Sequence, residues 1–188
     1  MGEKVIGVKE LLRACEKTPS VTLKKENGVA ELFLEQEGRQ GRIKFFELFG
    51  GITLAYIYVD ADSWPAPDLQ GKSPNVKAPF LINYCVSGRC EIFLDDGSYA
   101  YLKSEELSLT GRFAQKSYVY PSGMYRGIEI FMDVGLKESR ELLEAFGLNP
   151  ERLSQYYCPD GSTFLSDCTS QIRGIFRQLW SFREDFSE

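Results

Sequence analysis

The chain has 188 residues, about the length of one domain, and its 43% hydrophobic and 26% charged residues argue against disorder. Its net charge is −5 with a pI of about 5.0, and its densest basic patch is Lys24-Lys25, so it lacks the cationic surface from which nucleic-acid binders draw affinity. It contains no histidine, which removes the imidazole that most catalytic metal sites and most Ser or Cys nucleophiles use.

The N-terminus has no apolar signal core, and no apolar run approaches the roughly 18 residues of a membrane span. Residues 8–17 have helical spacing, with Val8, Leu11, Leu12 and Cys15 on one face and Thr18-Pro19 as the stop. The period then changes to two. Strands are expected at 29–35, 42–48 and 52–59, separated by Gly38–Gly41 and Gly50-Gly51. Residues 60–79 hold four prolines and read as a long loop, of the kind that often forms a lid. Trp64 lies within it, as an apolar anchor or a pocket wall.

The densest β region follows. Phe80–Val86 reads as a strand, Ser87-Gly88 as a turn and Cys90–Leu94 as the return, with Asp96-Gly97 opening the next hairpin. Further strands are expected at 99–102, 107–110, 117–120 and 125–133. Short strands at this spacing are the pattern of a sandwich or barrel. Residues 137–146 are helical up to Gly147 and Pro150, residues 154–163 read as a loop, and 169–186 as an amphipathic helix. That helix carries Ile172, Phe176, Leu179 and Trp180 on a wide apolar face, which packs across the barrel or meets a partner.

Little catalytic chemistry is on offer. The acidic pairs Asp60/Asp62 and Asp95/Asp96 sit in turns, where Asp serves turn geometry. The five cysteines, at 15, 85, 90, 158 and 168, include no C-x-x-C pair and read as buried thiols. A redox pair of Cys85 and Cys90 across the turn at 87–88 is the alternative. Neither a nucleophile elbow nor a phosphate-binding glycine loop is present. Glu129 stands in an otherwise apolar strand, where it faces solvent or, facing inward, needs Arg112 or Arg126 beside it. The remaining signal is for binding. Trp64, Asn83, Tyr84, Arg112, Gln115, Tyr118, Tyr120 and Glu129 are candidate pocket residues, with apolar walls and a few polar hooks.

The stretch Phe80-Leu81-Ile82-Asn83-Tyr84-Cys85-Val86-Ser87-Gly88-Arg89-Cys90-Glu91 resembles the opening strands of the cupin-like barrel in AraC-type transcription regulators. The hairpin at Asp96-Gly97, the strand ending at Leu102, the Leu107-x-Leu109 strand and Tyr125–Ile130 follow in that family's order. The resemblance implies a mainly β (α+β) fold, a jelly-roll barrel over residues 1–135, with a short N-terminal helix and a C-terminal helical region over 136–188. It implies an effector-sensing domain that also dimerises, with Ile172, Phe176, Leu179 and Trp180 as candidate interface residues. DNA would be read only through a helix-turn-helix region outside this chain. Metal-dependent cupins carry a His-x-His, a Glu and a later His. Those histidines are missing here, so no metal and no cofactor is expected. The partners expected are an unidentified small-molecule effector and a second copy, in the cytoplasm and away from membranes. The alternatives are a His-free, metal-free cupin enzyme of isomerase type using Tyr and Glu, and a pure dimerisation module.

Overall fold

Gly7 opens helix α1 (Val8–Cys15), whose Glu10 carboxylate accepts the Gly7 backbone N–H at 3.2 Å. The computed structural model describes residues 7–36, 38–65, 80–93, 97–111, 118–133, 136–159 and 162–183. Strand β1 (Val21–Glu26), which the sequence reading did not separate out, pairs with β2 (Val29–Gln36) across Asn27-Gly28. Both turn residues have positive φ, 48° and 79°, the conformation a two-residue hairpin needs and Asn-Gly supplies. Next come β3 (Arg39–Phe49), β4 (Ile52–Asp60) and the short β5 (Ser63–Trp64). Strand β6 (Phe80–Phe93) is followed by β7 (Tyr99–Lys103), β8 (Glu106–Thr110), β9 (Tyr118–Val119) and β10 (Tyr125–Met132).

The strands form an antiparallel jelly roll. The larger sheet has the order β1-β2-β3-β4-β10-β6-β8, with a last strand, β11 (Phe164–Asp167), on β8. The smaller sheet joins β7, β9 and β5 to the C-terminal part of β6. The main core lies between the two sheets. It takes Leu32 and Leu34 from β2, Phe45 from β3, Ile57 and Val59 from β4, Trp64 from β5, and Leu102 from β7. Leu11 and Cys15 of α1 join it from the side.

The expected turn at Ser87-Gly88 is not a turn. β6 runs unbroken for 14 residues. Its first part pairs with β10 and β8, and Arg89–Phe93 pairs with β7. The register against β10 slips between Arg126 and Gly127, which face Ser87 and Cys85, so Val86 is the extra residue of a bulge. Gly88 has φ +90°, and a Cβ there would stand 2.4 Å from the Met124 carbonyl oxygen. The glycine that reads as a hairpin signal thus lets one strand bend from one sheet into the other. Cys85 and Cys90 consequently sit on the same strand, and both are free thiols.

The region after 136 is also richer than the sequence suggested. Helix α2 (Lys137–Ala145) is followed by α3 (Pro150–Tyr157), which occupies part of the expected loop. Pro150 starts this second helix as well as lying past the first, and Asn149 Oδ1 caps it by accepting the Arg152 N–H at 2.8 Å. Strand β11 ties the region to the larger sheet by pairing with β8. Helix α4 (Ser170–Ser181) is shorter than the 169–186 expected, residues 184–188 lying outside those described. No described helix is long and apolar enough to cross a membrane.

Candidate functional site

Strands β4, β10 and β6 lie side by side, and residues facing one another across them share a face. Ala55, Glu129 and Asn83 form one such row, pointing between the sheets. Ala55 is small and fully buried in the main core. Neighbouring residues on the same strands, Tyr56, Ile128 and Tyr84, point the opposite way.

The inward row opens on a cavity of about 60 Å³. Glu129, Asn83, Trp64, Tyr118, Tyr120 and Tyr125 line it together with Phe45 and Phe131, and Leu11 and Cys15 of α1 cover it. The Tyr125 hydroxyl donates to Asn83 Oδ1 at 2.8 Å, and the Tyr120 and Tyr125 rings stack at 5.1 Å. Gly127 makes room for this arrangement, because a Cβ there would come within 2.6 Å of the Tyr125 ring.

Glu129 does not face solvent. It is 9% exposed, and no described residue makes a hydrogen bond or ion pair to its carboxylate. Burial pushes that carboxyl up to about 7. Arg126, a partner suggested by sequence, lies on the other face of β10. There it pairs with Asp60 at 2.7 Å and covers the Tyr58 ring at 3.2 Å. Burial likewise holds the phenols of Tyr118, Tyr120 and Tyr125 well above their usual range, with the Glu129 charge among the neighbours that add to it.

Of the residues singled out from sequence, Trp64, Asn83, Tyr118, Tyr120 and Glu129 converge on this chamber. Tyr84 does not. It points outward, where its ring stacks on Phe176 of α4 at 4.3 Å and 6°. Arg112 and Gln115 lie outside the described residues, as do Asp95 and Asp96. Tyr125, another strand tyrosine, lines the chamber too, as do Phe45 and Phe131, which were not selected as candidates. Their signal was alternation within strands, which does not by itself say which face is the inner one. Among the described residues, no group of three or more acidic or thiol side chains is placed to hold a metal ion.

Helix α4 rests on the outer face of the same strands. Phe176 is buried there, and Ile172, Leu179 and Trp180 pack beside it against Tyr56, Tyr84 and Ile128. The Tyr56 hydroxyl donates to the Leu179 carbonyl at 2.8 Å. The four residues offered from sequence as a dimer face are therefore engaged with their own sheet, while Ile175 of this helix and Phe182, which caps its C-terminus, are exposed. Glu105, at the β7–β8 turn, holds α4 from the side through Arg173 and Arg177.

A second, larger cavity of about 600 Å³ lies on the far side of α1. Val8 and Leu12 form part of its apolar wall with Val29, Ala30 and Phe45, and Lys9, Arg13, Lys25, Glu26 and Glu47 contribute charge. Helix α1 thus stands between the small chamber and this larger groove, and Phe45 lines both.

No family model and no curated protein matches the sequence. Solved structures resemble it in part. The AraC-like transcriptional activator CuxR is 15% identical over 94% of this chain and 56% of its own, at a TM-score of 0.48. ToxT from Vibrio cholerae is 13% identical over 73% of this chain and 50% of its own, at 0.47. Vicilin from Capsicum annuum is 14% identical over 83% of this chain and 50% of its own, at 0.40. This chain thus spans about half the length of each of these three. At such identities and TM-scores the likeness says nothing of this chain's role or site chemistry.

Proposed function

We propose that this chain is the small-molecule-sensing domain of a DNA-binding transcription regulator of the AraC type. The carrying observation is that β4, β6 and β10 present a small, mainly apolar cavity bearing Asn83 and Glu129 on one face and the α4 helix on the other. A ligand in the chamber presses on Asn83 and Glu129, and their strand neighbours Tyr84 and Ile128 bear on α4. Sensing in this sense requires the ligand to prefer one placement of α4 over another. At about 60 Å³ the chamber holds roughly two waters, well below the ~300 Å³ at which ordinary ligand pockets begin. Either the effector is very small, or α1 moves aside and joins the chamber to the groove beyond it.

The two tryptophans allow a direct test. Trp64 lines the chamber and Trp180 lies on α4, so their indole N–H resonances report separately on the two faces. A metabolite screen by thermal shift, followed by nitrogen-15 NMR, should yield a ligand that moves both signals. A ligand that moves Trp64 and leaves Trp180 unchanged makes the chamber a binding site without output and sinks the sensing role.

A second reading, a His-free acid–base enzyme, is favoured by Glu129 itself. A carboxyl poised near neutrality beside tyrosines is the arrangement an acid–base pair needs. It predicts turnover of a small sugar or keto acid that is lost in Glu129→Gln. Binding without turnover across such a panel removes it.

A further inference from the structure

Among the described residues lining the chamber, Glu129 carries the one full charge available near neutral pH. The remaining wall is made of aromatic rings (Phe45, Trp64, Tyr118, Tyr120, Tyr125 and Phe131), of aliphatic and thiol side chains such as Leu32, Leu81 and Cys90, and of the Asn83 side chain, whose oxygen already accepts from Tyr125. A buried carboxylate without a counter-charge is costly and takes up either a proton or a cation. The ring faces are negative, and they favour a weakly hydrated organic cation over sodium.

Resting on the sensing role above, we infer that the chamber is a binding site for a small protonated amine, with its ammonium group against Glu129 and its carbon against the aromatic wall. The size agrees. The volume of about 60 Å³, roughly two waters, suits a cation of two heavy atoms such as methylammonium. No described cation competes for the position, since Arg126 is held by Asp60 on the opposite face and Arg42 by Glu31 on the outer side of β3. The other titratable groups facing the carboxylate are Cys15 from α1, Cys90 from β6, Tyr118 beside β5, Tyr120, and Tyr125 from β10. Burial holds all of them neutral in the same pH range, so among the described residues Glu129 alone sets the charge of the site. Amine and proton then compete for one carboxylate. With its midpoint at about 7, the ionised fraction falls about ten-fold between pH 8 and pH 6.

The test is calorimetric titration of the full chain with methylammonium chloride, against sodium chloride at equal concentration. Saturable binding is expected at pH 8, about ten-fold weaker at pH 6, and absent in Glu129→Gln at both. Methylammonium binding no better than sodium at pH 8, or binding to Glu129→Gln as to wild type, overturns the assignment. Should Glu129→Gln fail to fold, the wild-type protein still answers. The carbon-13 carboxyl resonance of Glu129 should titrate near neutrality and shift its midpoint downward with saturating amine. A midpoint that does not move overturns the assignment too. If neutral metabolites bind the chamber and the amine does not, the ligand class falls while the sensing role stands. If the amine binds and Trp180 stays still, the ligand class stands and the sensing role falls.

Discussion

Glu129 lies between Ala55 and Asn83 in the sheet, and its carboxyl is raised from 4.5 to about 7 by burial. The folded state therefore holds a proton that the unfolded state releases between those two values. Stability from this residue is fully present below about pH 4.5 and is lost as pH rises through 7, a fall of about 3 kcal/mol. Urea unfolding of wild type and Glu129→Gln at pH 5 and pH 8 isolates it. The difference between the two proteins should change by about that amount, in the direction of relative gain for the variant at pH 8. The inward orientation was not legible in the sequence for a physical reason. Both faces of β10 are covered, one by the core and one by α4, so burial does not alternate along it. Period-two reasoning finds the strand there but not its inside. Trp64, Asn83, Tyr118 and Tyr120 were legible as pocket residues because aromatics and amides in strands suit one, but their convergence depends on how the two sheets close.

Among the elements, β6 and α4 carry the sharpest expectations. Gly88→Ala places a methyl group against the Met124 carbonyl and an L residue at φ +90°. It should cost about 2 kcal/mol or more, measured by denaturant midpoint. Phe176→Ala removes the ring stacked on Tyr84 and should cost about 3 kcal/mol. It should also shift Trp180 emission to longer wavelength, while a helix anchored elsewhere would keep its emission. Sequence pattern located the longer central β segments, because apolar alternation and turn glycines mark them, but missed β1, β5 and β11. It divided β6 in two because a bulge glycine and a turn glycine are the same residue type in a sequence. It ran past α3 because Pro150 serves both as a stop beyond α2 and as the first residue of the next helix.

At the scale of the molecule, all five cysteines are buried and free. Burial raises Cys15 to about 11 and Cys85 to about 12, and pushes Cys90 higher still. Thiolates, not thiols, react with alkylating reagents. The native chain at pH 8 should resist iodoacetamide over hours and take up five labels in denaturant, by intact mass. Early labelling of Cys15 would instead reveal the opening of α1 that access to the chamber from the groove requires. The path of β6 bears on how the barrel comes apart. One uninterrupted strand hydrogen-bonds to β10, β8, β7 and β9, so neither sheet owns a complete set of strands without it. Loss of one sheet strips the other of a member, and the two should melt as a single cooperative unit. In native-state hydrogen exchange, the paired amides of β6 on either side of Gly88 should share one protection free energy, equal to that of global unfolding.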